Sequence, residues 1–221
     1  MNLYRHHFID GSEFAAAPGK QVCVGRNYAE HAKELGNEIP DTPLLFIKPA
    51  TAMVAMAEPL ELPAGDGSCH HELELALLIA QPLSKAAPSE CRAAIAGIGL
   101  ALDLTLRDLQ SELKKKGQPW ERAKAFDGAS PLSAFIPFEQ DLDFASLKLR
   151  LTRNGGVQQQ GSCADMLFSV ETLLSEISHN FSLMPGDVVL TGTPAGVGPL
   201  CSGDHLLCEL EGLLKVETVV L

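Results

Sequence analysis

An apolar run over residues 73–80, which follows Glu72 and contains Glu74, most constrains how this chain can fold. Side chains alternate between the two faces of a strand, so these glutamates share one face, with Cα atoms about 7 Å apart. Burying unpaired carboxylates is costly, and a divalent cation would offset that cost. Carboxylate oxygens suit Mg²⁺, Mn²⁺ or Ca²⁺. The alternative is a half-exposed strand with two solvated glutamates, and the pattern alone leaves both interpretations open.

The composition is that of an ordinary globular protein, with 221 residues of which 46% are hydrophobic and 20% charged. A net charge of −11 argues against nucleic acid or an anionic membrane as the main partner, because both require basic patches. No uncharged apolar stretch reaches the length of about 18 residues that a transmembrane helix needs. Residues 1–10 lack the apolar core of a signal peptide. We therefore expect a cytoplasmic protein.

The cysteines are scattered and form no CxxC pair, which argues against a zinc ribbon. Isolated cysteines in a cytosolic protein are usually reduced thiols packed in the core. We expect this state for all six of them, Cys23, Cys69, Cys91, Cys163, Cys201 and Cys208.

Short alternating segments indicate that strands dominate the fold. Over residues 95–107, leucine and isoleucine alternate with a face of glycine and alanine that carries Asp103. A face of such small residues leaves room for a ligand. Asn154-Gly155 predicts the turn of a hairpin. Many short strands with few helices favour a mainly β roll or sandwich.

Few helices are predicted. Asn27 is a plausible cap for the first of them. The region after Trp120, up to Pro137, is expected to be irregular. The predicted helices cover residues 28–35, 89–94, 108–116 and 164–179.

Six segments, in order along the chain, together resemble the small single-domain acylpyruvase branch of the fumarylacetoacetate hydrolase family. Any one of them is a weak motif, but six in register are a strong match over the chain from about residue 20 onward. The segments are residues 24–31, 46–49, 70–74, 101–108, 123–127 and 185–199.

The resemblance implies an α+β, mainly β fold, namely a mixed β-sandwich roll of that family's type with a few short helices. It divides the chain into a short N-terminal strand and loop extension, residues 1–20, and a single catalytic domain, residues 21–221. It also implies a homodimer that holds one Mg²⁺ or Mn²⁺, with Glu72, Glu74 and Asp103 as the metal ligands. Three carboxylates leave about three positions of an octahedron open to water or substrate.

Catalytic groups are implied in the same way. Lys124 matches a lysine that adds positive charge where an oxyanion develops. His31 and Glu34 lie three residues apart and so share a helix face, and a carboxylate beside an imidazole orients it and raises its basicity. In the family this pair activates the attacking water.

The resemblance implies three substrate contacts besides, Arg26, Gln110 and Thr193. Arginine suits a carboxylate because its guanidinium donates two parallel hydrogen bonds. Arg107, by contrast, is expected to pair with Asp108 or with another acid.

The resulting hypothesis is a Mg²⁺-dependent enzyme that acts on small 2-oxo or 2,4-dioxo acids through a pyruvate enolate. Hydrolysis of an acylpyruvate to pyruvate and a carboxylic acid is the first expectation. Tautomerisation or decarboxylation of oxaloacetate is the alternative, together with the isomerases and hydratases of aromatic catabolism that share the scaffold. A protein that binds a metal or ligand without catalysis is a further alternative, because fold alone does not fix function.

Overall fold

A computed structural model of the chain describes residues 4–34, 36, 38–65 and 67–221. Within these residues the strands form three sheets, and the fold is the mainly β mixed roll that the sequence predicted. In chain order the strands are β1 (Gln21–Gly25), β2 (Leu44–Lys48), β3 (Met53–Ala55), β4 (Cys69–His71), β5 (Leu73–Ile79), β6 (Ile95–Leu102), β7 (Thr105–Leu106), β8 (Ser130–Leu132), β9 (Ile136–Pro137), β10 (Lys148–Arg153), β11 (Gly156–Ser162), β12 (Val188–Leu190), β13 (Gly198–Pro199), β14 (His205–Leu210) and β15 (Leu214–Val219).

The largest sheet has the strand order β2-β1-β12-β5-β6-β8-β3, and β9 pairs with β6. It is mixed, because β1 runs parallel to β12 and β3 parallel to β8, whereas its other pairs are antiparallel. Every residue of β5 is buried. This strand lies between β12 and β6, which explains why its sequence is almost continuously apolar.

The side chains of β5 enter two different cores according to their parity. Leu73, Leu75 and Leu77 belong to the larger hydrophobic cluster, while Ala76 and Leu78 belong to the smaller one. The period of two seen in the sequence therefore describes the strand correctly.

The two smaller sheets have the orders β11-β10-β14-β15 and β13-β4-β7. Asn154 and Gly155 join β10 to β11 and both adopt positive φ, at 51° and 79°. These angles suit the tight hairpin turn that the Asn-Gly pair predicted.

The helices are short, and two predictions about them are wrong. The last helix begins at Val170 rather than near residue 164, because Ser169 caps it by accepting a hydrogen bond from the Thr172 amide. A helical turn also interrupts the region expected to be irregular. The helices are α1 (Ala29–Glu34), α2 (Pro88–Cys91), α3 (Arg107–Lys115), α4 (Glu121–Lys124) and α5 (Val170–Asn180).

In the described part of the chain, no helix combines the length and the apolar character that crossing a bilayer requires. All six cysteines are free, as predicted, and five are buried, but the prediction of a core position is wrong for Cys201, which is exposed. The first twenty residues contribute an isolated bridge between His7 and Glu13. Their separation from the rest of the chain as an extension stays a prediction.

Candidate active site

Three carboxylates meet at one end of the β5–β6 pair. Glu72 immediately precedes β5, Glu74 lies within it, and Asp103 follows β6. The antiparallel register pairs Leu73 with Leu102, and the Asp103 amide donates to the Glu72 carbonyl at 2.8 Å. All three residues are buried, and each offers an oxygen within 4.8 Å of the others. The alternative of two solvated glutamates is therefore wrong.

Three basic side chains neutralise part of this charge. The Lys124 ammonium donates to Oε2 of Glu72 at 2.8 Å and to Oδ2 of Asp103 at 2.6 Å. The ammonium of Lys48, which is fully buried, lies 2.6 Å from Oδ1 of Asp103. Arg107 donates to Oε1 of Glu72, so its acid partner here is Glu72. Asp108 instead accepts a hydrogen bond from a loop amide.

These contacts shift the acid–base equilibria of the cluster in opposite directions. Burial raises the pKa of Glu72, but Lys124 and Arg107 outweigh burial and hold it below its ordinary value. Burial would lower the pKa of Lys124, yet the carboxylates of Asp103 and Glu72 raise it above the usual lysine value. Burial, followed by the charges of Asp103 and Glu72, holds the pKa of Glu74 well above its usual range. The two neighbouring carboxylates therefore outweigh Lys124 in their effect on Glu74.

This donor set fits a hard divalent cation. Mg²⁺ and Mn²⁺ prefer carboxylate oxygens, and the three residues offer them close together on the ends of adjacent strands. A divalent ion would also stabilise the ionised form of Glu74, whose Oε2 already accepts a hydrogen bond from the Gly192 amide at 2.7 Å. Glu72, Glu74 and Asp103 could thus hold the predicted metal.

His31 and Glu34 form a pair on α1, as their spacing predicted. Nδ1 of His31 lies 3.4 Å from Oε2 of Glu34. The imidazole is buried and faces the carboxylate cluster closely enough to help lower the pKa of Glu72. The Glu34 carboxylate accepts from the Gly196 amide, with N···O distances of 3.1 and 3.2 Å. The pair is therefore held between a helix and a loop.

The start of α1 differs from the prediction. Asn27 does not serve as a helix cap, because its buried side chain donates to the carbonyls of Thr191 and Phe168 and accepts from the Phe168 amide. The preceding Arg26 adopts a φ of 61°, in the left-handed region that non-glycine residues seldom occupy. Strain of this kind is typical of residues that are held at functional sites.

One cleft collects nearly all the predicted site residues. It encloses about 460 Å³ of empty space, part of it open to solvent, between the carboxylate cluster and an aromatic wall of Phe46 and Trp120. Glu34 is the exception: it does not line the cleft but contacts His31, which does. The predicted residues that line the cleft are Arg26, His31, Glu72, Glu74, Asp103, Gln110, Lys124 and Thr193.

The predicted substrate contacts differ in their surroundings. Oε1 of Gln110 accepts a hydrogen bond from Arg107 at 2.7 Å, so these two side chains act as a unit. Thr193 donates to the Leu73 carbonyl at 2.8 Å and is buried. Burial, followed by the charges of Arg26 and Arg107, lowers the pKa of Lys114, which lines the same cleft. This end of the cleft is therefore rich in positive charge.

Two residues of the site were missed from the sequence. Lys48 ends the apolar strand β2, and a lone lysine in such a strand is the signal that could have revealed a buried charge. Gln159 is the one buried residue of the polar strand β11, and nothing in the run Gln158-Gln159-Gln160 distinguishes it. Its partners come from distant parts of the chain.

The site combines a buried carboxylate triad at the strand ends of a mixed β roll with a lysine and a histidine–glutamate pair beside one cleft. This combination is typical of metal-dependent enzymes. The family model described as fumarylacetoacetate (FAA) hydrolase C-terminal matches residues 20–221. The chain belongs to the fumarylacetoacetate hydrolase family.

Similar proteins include two named oxaloacetate tautomerases. The chain is 51% identical over 211 residues to oxaloacetate tautomerase YcgM of Escherichia coli, a match that covers 95% of this chain and 96% of the relative. It is 40% identical over 195 residues to the human mitochondrial oxaloacetate tautomerase FAHD1, covering 88% of each.

A solved structure resembles the whole molecule. The fumarylpyruvate hydrolase of Pseudomonas aeruginosa, solved in complex with Mn²⁺ and pyruvate, superposes with a TM-score of 0.92 at 30% identity. The superposition covers 100% of this chain and 97% of that one. A relative with this fold therefore binds a divalent metal, in agreement with the acidic triad found here.

Proposed function

We propose that this protein is a metal-dependent enzyme that interconverts the enol and keto forms of oxaloacetate. The observation that carries the proposal is that the carboxylate triad, Lys124 and His31 face one cleft that is also lined by Arg26, Arg107 and Lys114. Basic side chains outnumber the carboxylates there, and a divalent cation would add to the excess. Such a site suits a small dianion. The names of the tautomerase relatives support the same assignment.

The chemistry asks for charge stabilisation at one oxygen and proton transfer at one carbon. Ketonisation removes the proton of the enol hydroxyl and adds a proton at C3. A divalent cation held by Glu72, Glu74 and Asp103 would stabilise negative charge on the oxygens of a 2-oxo acid. Lys124 contributes a fixed positive charge beside the same oxygens.

The histidine–glutamate pair is the proposed proton carrier. His31 gives its proton to C3 during ketonisation, while water in the solvent-open cleft takes the enol proton and returns a proton to the imidazole. In the reverse direction His31 removes a proton from C3. Glu34, 3.4 Å from Nδ1, fixes the orientation of the ring and stabilises its charged form. Arg26 and Gln110 are proposed to bind the substrate's carboxylates, and Thr193 lies at the wall of the cleft.

Hydrolysis of an acylpyruvate is the second candidate. The specific observation in its favour is the same His31–Glu34 pair, because a base beside the cleft can also activate water for attack on an acyl carbonyl. The relative from Pseudomonas aeruginosa bears the name of such a hydrolase, at lower identity than the tautomerases. A neutral acyl end, such as that of acetylpyruvate, would leave the cationic end of the cleft unmatched, whereas a fumaryl end carries a carboxylate of its own.

Parallel assays on two substrates test the proposal. Freshly dissolved enol-oxaloacetate is followed by the loss of its ultraviolet absorbance, and acetylpyruvate by the release of pyruvate, each with Mg²⁺ and with Mn²⁺. Faster ketonisation, with no more pyruvate than buffer with the same metal releases, would support the tautomerase. Pyruvate from acetylpyruvate alone would support the hydrolase. Pyruvate from oxaloacetate at a rate above that of buffer with the same metal would indicate a decarboxylase, and either of these last two results would overturn the tautomerase.

The preferred metal and the homodimer stay proposals. Mg²⁺ and Mn²⁺ share the ligand preferences that the triad satisfies. The dimer is open to direct measurement by light scattering of the purified protein.

A further inference from the structure

We propose that Gln159 is a positioning residue that places the His31–Glu34 pair through the loop of residues 193–196. It contributes no atom to the chemistry. Its side chain ties that loop to the strand that carries Glu74, and the loop in turn holds the Glu34 carboxylate. The inference rests on the proposed function only for its kinetic test.

Gln159 is unusual in its own strand. The other residues of β11 are exposed or half-buried, whereas Gln159 has 1% of its surface exposed. Its Oε1 accepts from the Leu73 amide and contacts Nδ1 of His71, both at 3.0 Å. Its Nε2 donates to Oγ1 of Thr193 at 2.8 Å and to the Pro194 carbonyl at 2.9 Å. A buried amide with every capacity satisfied is a rigid connector.

The hydrogen bonds of the Gln159 side chain lie where the backbone pairing between β12 and β5 has ended. The register of β12 and β5 ends with Leu190 opposite Ala76, and one further backbone hydrogen bond runs from the Thr191 amide to the Leu75 carbonyl at 3.2 Å. Beyond it the Thr193 hydroxyl donates to the Leu73 carbonyl at 2.8 Å, while the Gln159 side chain accepts from the Leu73 amide. Side chains thus fix the chain at the point where it leaves the sheet. Leu73 itself lies between two of the proposed metal ligands.

The loop also lies directly on the backbone of β11. A Cβ added to Gly161 would meet Cβ of Pro194 at 2.5 Å, and one added to Gly196 would collide with the Gln158 carbonyl. Gly196 has a φ of 97°, which side-chain-bearing residues rarely adopt. Glycine at both positions allows the contact that aims the Gly196 amide.

The Gly196 amide is where this arrangement reaches the proposed catalytic pair. It donates to both oxygens of Glu34, and Glu34 contacts Nδ1 of His31. A shift of the loop would therefore move the carboxylate that orients the imidazole. Small displacements of a catalytic group reduce the rate strongly, because the reacting atoms must be aligned.

A double-mutant cycle on oxaloacetate ketonisation tests the inference. Gln159→Glu keeps the acceptor for Leu73 but replaces the donor to Thr193 and Pro194 with an oxygen, and Gln160→Glu makes the same change on an exposed neighbour. We expect Gln159→Glu to lower kcat by about tenfold with KM within about threefold of wild type. In the Glu34→Ala background the same change should cost less than about twofold, since the effect passes through Glu34. A full additional loss in that background would overturn the inference.

Amide hydrogen exchange gives a second readout that does not depend on activity. We expect Gln159→Glu to speed exchange of the Gly196 amide by about tenfold while the central amides of β5 stay protected. Unchanged protection at Gly196 would overturn the inference. Absence of ketonisation by the wild type would overturn the proposed function alone, and exchange would still decide the role of Gln159. Should Gln159→Glu fail to fold, Gln159→Met, which keeps the volume, takes its place.

Discussion

The ammonium of Lys48, a residue with no exposed surface, lies 2.6 Å from Oδ1 of Asp103. Removing one partner of a buried ion pair is costly, and without Lys48 only Oδ2 of Asp103 would keep its contact with a basic side chain, that of Lys124. We predict that Lys48→Met lowers the free energy of unfolding by about 3 kcal/mol, measured by urea denaturation without divalent metal. Lys33→Met, which breaks an exposed pair with Glu30, should change it little. Equal effects of the two substitutions would contradict a structural role for Lys48.

Glu74 should show opposite responses with and without metal. Its charge is disfavoured by burial and by neighbouring carboxylates, so Glu74→Gln is expected to raise the melting temperature of the metal-free protein. Mg²⁺ at a hundred times its dissociation constant should stabilise the wild type by about 2.7 kcal/mol and the variant far less. Glu217→Gln, an exposed neutralisation on β15, is the control. If the melting temperature of the wild type were the same with EDTA and with Mg²⁺, the proposed metal site would be ruled out.

His31→Gln should remove the proton carrier and leave the metal site intact. Loss of general acid–base catalysis typically lowers the rate by about 10²–10⁴-fold. We expect the kcat for oxaloacetate ketonisation to fall by a factor in that range. The stabilisation by Mg²⁺ should persist, because the triad is untouched. His205→Gln replaces an exposed histidine for comparison. A variant with wild-type kcat would show that the pair does not take part.

His6 predicts a specific loss of stability in acid. It is fully buried with Nε2 3.0 Å from the Gly186 carbonyl, and burial lowers its pKa below 6.5 although that hydrogen bond opposes the shift. The unfolded chain therefore binds the proton more readily, so the stabilisation is present above pH 6.5 and is lost as pH falls through the folded pKa. Between pH 7 and pH 5 the melting temperature of the wild type should fall further than that of His6→Gln. The exposed variant His205→Gln should follow the wild type, and parallel curves for all three would refute the prediction.

Strand parity predicted that Glu72 and Glu74 share a face, because alternation is a local property, and the family resemblance implied that Asp103 joins them as a metal ligand. Alternation put Glu72 and Glu74 on one face, and the small-residue face of β6 placed Asp103 where there is room. The pair of His31 and Glu34 followed from helical spacing in the same way. Family resemblance then supplied Lys124 and the substrate contacts, whose positions no local pattern reveals.

The errors arose where tertiary contacts outweigh local preference. Asn27 has the chemistry of a helix cap, yet its side chain binds Thr191 and Phe168 from distant segments. Lys48 contacts Asp103, although β2 and Asp103 are far apart in the sequence. Gln159 reaches the loop of residues 193–196 from β11, which belongs to a different sheet from β5. Partners so far apart in the chain leave no periodic signal.

The proposed activity requires the acidic centre formed by Glu72, Glu74 and Asp103. The most direct test compares the rate of enol-oxaloacetate ketonisation by the wild type and by Glu74→Gln, each with Mg²⁺ and with EDTA, against buffer that contains Mg²⁺ alone. We predict that the wild type accelerates the reaction only with Mg²⁺ and that the variant loses most of this acceleration. A wild-type rate equal to that of the buffer, or an acceleration that survives both EDTA and the substitution, would contradict the account.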